Sequence, residues 1–143
     1  MQEPTEEPTE EPTEEPVSVD DSILLTIKKM LNIPLEVDAF DVDLTVHINS
    51  TFMVLNQIGV GPKEAFFIQD ASSKWDDFST AIDHWMIRTY MYMKVKMLFD
   101  PPAGSAATSF EKLITEYEVR LNIASDRLLY GGEPNGDTDD ADE

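Results

Sequence analysis

The chain has 143 residues, a formal net charge of −19 and no cysteine, so one folded domain is the expected scale and disulfides and thiolate metal sites are excluded. No run of about 20 apolar residues occurs, so no membrane-spanning helix is expected, and the acidic, proline-rich start reverses a signal peptide's basic-then-apolar order. Residues 1–19 hold seven glutamates and residues 131–143 six acids, with no base in either, while the middle sets 16 acids against all 10 bases and shows no basic patch suited to a phosphate backbone.

In chain order, residues 1–18 open with Glu-Pro-Thr-Glu repeated at 3–6, 7–10 and 11–14. Proline at every fourth position and mutually repelling glutamates predict a disordered, extended acidic tether. The foldable part is read as residues 19–130. Ile23, Leu24, Ile27, Met30 and Leu31 form one face of a first helix over residues 21–31, capped by Asp20 or Asp21 and stopped by Pro34, with Lys28 and Lys29 off that face. Over residues 39–57 two periods compete. Phe40, Val42, Leu44, Val46 and Ile48 alternate as in a strand, whereas Leu44, Ile48, Phe52, Leu55 and Ile58 share a helical face. A run of about 19 residues is long for a strand, so helix is chosen, with Asp38 and Asp41 as capping pair and Gly59 as stop.

Gly59-Val60-Gly61-Pro62 reads as a turn, residues 65–68 as a short strand or packed loop, and Trp75-Asp76-Asp77-Phe78 as a loop with two aromatic anchors. A third helix over residues 81–99, capped by Thr80 and Asp83, is apolar on nearly all faces and is therefore central. Asp100-Pro101-Pro102 ends it. The fourth helix begins between residues 105 and 109, with Thr108 and Glu111 as capping pair. It carries Phe110, Ile114, Tyr117, Leu121, Ala124 and Leu128 as a heptad-like stripe. If it reaches Leu129 it is about 30 Å long. The stripe either packs inside the monomer or projects at residues 121–129 to bury against another chain. Gly131-Gly132 releases a disordered acidic tail over residues 131–143. The fold class is all-α: a small four-helix bundle with a long C-terminal helix and disordered acidic tails.

Nothing in the sequence assembles catalytic chemistry. His47 and His84 lack an HxxxH or HExxH spacing and a recognisable nucleophile–acid relay, so no catalytic residue, metal site or cofactor is assigned. The acid run at 137–143 resembles a calcium loop only superficially, lacking the glycine at the sixth position and the glutamate at the twelfth. Gly59-Val60-Gly61 has no phosphate-loop context.

Four stretches together carry a resemblance. They are Asp21-Ser22-Ile23-Leu24-Leu25-Thr26-Ile27-Lys28-Lys29-Met30-Leu31; His47-Ile48-Asn49-Ser50 through Leu55-Asn56-Gln57-Ile58-Gly59-Val60-Gly61-Pro62; Trp75-Asp76-Asp77-Phe78; and Tyr92-Met93-Lys94-Val95-Lys96-Met97-Leu98-Phe99-Asp100-Pro101-Pro102. In this order and spacing, over residues 20–125, the chain resembles the small head–tail connector (adaptor) proteins of tailed bacteriophages. The resemblance implies a helical bundle, made in the bacterial host cytoplasm and placed at the virion neck. There, copies of the chain, commonly twelve, form a ring beneath the portal protein, extend the DNA channel without specific nucleic-acid binding and dock a stopper or tail-completion protein. It also favours helix at 40–48. The candidate interface is then Leu121, Ala124, Leu128, Leu129 and Tyr130 on the fourth helix, with Gly61, Pro62, Trp75 and Phe78 from the turn-and-loop region. The alternative reading is an acidic regulatory binding protein that mimics DNA; the concentration of acids in the two tails speaks against a rigid phosphate-like surface.

Overall fold

A computed structural model of the chain describes residues 16–82 and 84–128. It contains α1 (Ile23–Met30), α2 (Asp41–Gln57), α3 (Trp75–Phe78), α4 (His84–Phe99) and α5 (Ser105–Asp126). Among the described residues the only β pairing is an isolated bridge between Ser22 and Lys74. The all-α expectation holds, and residues 40–48, where two periods competed, are helical from Asp41 onward. The period-two apolar residues are explained by the helix having two uses: Leu44 and Ile48 enter the core, while Val42 and Val46 stand on the opposite pole. The expectations of disorder at both ends concern residues that, apart from 16–18, lie outside the described ones.

Helix ends differ in detail from the sequence reading. Ser22, rather than Asp20 or Asp21, caps α1, its Oγ accepting from the Leu25 amide at 3.2 Å. Ser22 wins because its hydroxyl also donates to the Ala71 carbonyl at 2.8 Å, tying the cap to a distant loop. The helix stops at Asn32, in the left-handed region at φ 63°, with Ile33 N bonded to Lys28 O at 2.9 Å and Asn32 N to Lys29 O at 3.0 Å. That is a Schellman closure, and Pro34 follows it instead of causing it. The proposed Asp38–Asp41 capping pair does not form, because Asp41 is drawn to Lys28 at 2.8 Å. Thr108 and Glu111 lie inside α5, whose start is set by Gly104 at φ 62°. Trp75–Phe78 is one helical turn and not a loop, held by the Asp77 carboxylate accepting from Lys74 N at 2.8 Å. α4 starts at His84 instead of residue 81; Ser79 Oγ accepts from Ala81 N at 3.1 Å, and Asp83 lies outside the described residues.

The central helix is α4, which packs against α2 on one side and α5 on another, with α1 touching both α2 and α4. Its Ile87, Tyr90, Met91, Met93 and Val95 are buried, as a helix apolar on several faces requires. The core joins them to Ile23 and Ile27, to Leu44, Ile48, Phe52 and Leu55, and to Trp75, Phe78 and Leu121. Lys28 is also buried: its Nζ donates to the carbonyls of Leu35 at 3.1 Å and Val37 at 2.7 Å. With Asp41 it forms an ionic staple between the α1–α2 connection and the start of α2.

Candidate functional site

The surface of interest grows out of the end of α2. Gly59 adopts φ 86°, and Val60 N bonds to Leu55 O at 2.8 Å, so the helix closes and the chain turns sharply. At Gly61 (φ 95°) a Cβ would stand 2.4 Å from the Phe78 ring; only glycine allows this approach. Phe78 in turn packs on Phe52 and Phe66 at centroid distances of 4.8 and 5.4 Å. Asn56 Nδ2 donates to the carbonyls of Pro62 and Lys63, fixing the far side of the turn.

The distal part of α5 is docked on this turn. Asn122 Nδ2 donates to Ile58 O at 2.7 Å, Ser125 Oγ donates to Gly59 O, and Leu121 is fully buried. The stripe therefore packs inside the monomer as far as residues 121–125, and α5 does not project there as a stalk. Leu128 is 53% exposed and marks where the stripe emerges.

Two open depressions meet at that point. One, of about 390 Å³, lies between the start of α4 and the end of α5 and is lined by Ile82, Met86, Ile123, Ala124 and Leu128 with Arg120 and Arg127. The other, of about 500 Å³, is lined by Gly61, Pro62, Lys63, Phe78, Ile82 and Leu128. The structure thus brings together Gly61, Pro62, Phe78, Ala124 and Leu128. Leu121 and Trp75 fall in the core, as does most of Phe78, because α5 and the one-turn α3 close over them. Leu129 and Tyr130 lie outside the described residues.

The rim is basic. Arg120 is paired with Glu116 at 2.5 Å, whereas Arg127 and Lys63 make no ion pair among the described residues. Ile82, Met86, Ile123 and the rim bases were not legible as a set. They come from three separated segments, and Arg120 and Arg127 look in sequence like ordinary solvated helix charges.

The outer face of α2 carries a second apolar surface. Val42 and Val46 are 75% and 57% exposed, and Met53 continues the line. Exposed Asp70 lines the shallow depression that Val42 and Val46 border, and exposed Asp43 follows Val42 on the helix. Asp70 accepts from Ser72 Oγ and Ser72 N, and these bonds hold its carboxyl below the usual carboxylate range.

The histidines do not form a relay. His47 packs its ring 6.4 Å from Phe99. The His84 ring contacts the Ser79 carbonyl and stands 3.6 Å from Asp76, while Ser79 Oγ is used in capping. Among the described residues no group of three His, Asp or Glu side chains is placed to hold a metal ion, and no helix is long and apolar enough to cross a membrane.

No curated protein and no solved structure matches the chain. A family profile does: the one described as phage connector protein matches residues 23–128. The matched span begins at the first residue of α1 and ends at Leu128, so it takes in every helix of the bundle and the surface at its end. A helical structural protein with apolar surface to spare is what a connector requires, and the chain belongs to the phage connector protein family.

Proposed function

We propose that this chain is the adaptor subunit of a tailed-phage neck. Copies of it, in a ring of about twelve subunits, sit beneath the portal, extend the DNA channel and present a docking surface to a stopper or tail-completion protein. The observation that carries the reading is the family match over residues 23–128. Its mechanism is geometric: the ring matches one assembly to the next and performs no chemistry. The surplus of acids over bases in the middle of the chain supports it, because a channel wall must let phosphates slide past without holding them. The exposed apolar residues Val42, Val46, Ile123 and Leu128 support it too, since a ring member needs contact surface beyond its own core.

The test is electron microscopy of particles made by a phage lacking this chain. DNA-filled heads without tails, lacking density directly below the portal and restored by supplying the chain, are expected. Normal tailed particles would overturn the proposal.

A further inference from the structure

The two exposed apolar surfaces differ in sign. The depression at the end of α5 has Arg127 and Lys63 on its rim without ion-pair partners among the described residues. The α2 face has Val42 and Val46 beside exposed Asp70, with exposed Asp43 next to Val42. α4 lies between the helices that carry them, packing against α2 on one side and α5 on the other. Among the described residues both surfaces stay open, with Val42, Val46, Ile123 and Leu128 each at least half exposed.

We infer that the basic-rimmed depression at the end of α5 receives the acid-flanked Val42–Val46 ridge of α2 from a second copy of this chain. The proposal rests on the adaptor reading and adds to it the two faces that meet. Charge selects this pairing. Depression against depression would bring the Arg127 and Lys63 of two copies together, and ridge against ridge would crowd the Asp43 and Asp70 carboxylates of both copies. Depression against ridge sets opposite charges around an apolar centre of Ile82, Met86, Ile123 and Leu128 on one side and Val42 and Val46 on the other. The contact is heterologous: each copy offers one face to each neighbour, so the pairing repeats from subunit to subunit and closes where the rotation allows.

The absence of cysteine from the chain makes the test direct. Val46→Cys and Ile123→Cys are placed singly and together in the whole chain at positions 57% and 50% exposed, where neither disturbs the core. The chains are assembled with their portal, oxidised with diamide and run on a denaturing gel. The double variant is expected to give a ladder of multimers. A mixture of the two single variants should stop at dimers, and each single variant alone should stay monomeric. Arg127→Glu in the double variant should cut the ladder about five-fold at low salt, as expected for one exposed charge contact reversed.

Dimers from either single variant would show a symmetric contact and overturn the proposal, as would a ladder that ignores Arg127→Glu. Cross-links from residue 123 to the portal in place of another copy would assign the depression to the portal and also overturn it. Rings seen by microscopy without any ladder would overturn the pairing and leave the adaptor reading standing. Neither rings nor ladder would overturn both.

Discussion

Lys28 is where a single side chain departs furthest from its sequence appearance. It stands beside Lys29 on the polar side of the first apolar face, yet it is 1% exposed and its ammonium meets two carbonyls and Asp41. Helical period places a side chain on a face but does not say which loop will cover that face, so the burial was not legible. Lys28→Met should cost about 2–4 kcal/mol in chemical denaturation, since Asp41 and two carbonyls lose their partner; Asp41 keeps some solvent, which limits the loss. Tyr90 is a second case. Burial first, then the hydrogen bond at 2.7 Å and the charge of Glu118, push its phenol well above the ordinary value of 10.0. Above that ordinary value the unfolded chain releases the proton and the folded chain keeps it. The native state then binds more protons, and stability falls as pH rises. Denaturation at successive alkaline pH values should show a slope steeper than that of Tyr90→Phe by up to about 1.4 kcal/mol per pH unit.

Among the elements, α5 separates two roles that the heptad stripe alone could not. Ile114, Tyr117 and Leu121 pack toward the core, Phe110 stacks edge-on against Tyr92, and Leu128 stands out of the core. Leu121→Ala should therefore destabilise the fold by about 2–5 kcal/mol, read as a fall in the midpoint of thermal or denaturant unfolding. Leu128→Glu should leave circular dichroism and unfolding unchanged and prevent the chain from joining portals, which sedimentation of the mixture reports. An unfolded Leu128→Glu protein would place that residue in the core. The helices themselves were legible because they are long: length decided α2 where two periods competed, apolar residues on nearly all faces marked α4 as central, and a heptad-like stripe marked α5. Their ends were less so. The cap at Ser22 depends on a bond to distant Ala71, and Asn32 and Gly104 take positive φ that no flanking pattern in the sequence assigns to them. Gly59 was legible as a stop because positive φ at a helix end favours glycine. The site was half legible: Gly61, Pro62, Phe78, Ala124 and Leu128 do converge, but the partners that complete the depressions come from the start of α4 and from helix charges with no sequence signal.

At the scale of the whole molecule, charge and topology govern different things. The hydrogen bonds described at the N-terminal end begin at Ser18, with Val19 and Asp20 accepting from Thr26 and Arg88. Deleting residues 1–15 should leave the unfolding temperature within about 2 °C of that of the whole chain, because none of those contacts is touched. The same deletion removes seven glutamates, so at low salt the shortened chain should assemble at lower concentration by light scattering, and the difference should fade as salt rises. The bonds from Asn122 to Ile58 and from Ser125 to Gly59 join residues 64 and 66 positions apart. Their consequence reaches back to biosynthesis. While the chain is being made, the end of α2 has no cover until residues 121–125 emerge, and the depression rimmed by Arg127 does not exist before then. On the pairing proposed above, a nascent subunit gains its recruiting surface only after residues 121–128 have been made and docked on the end of α2.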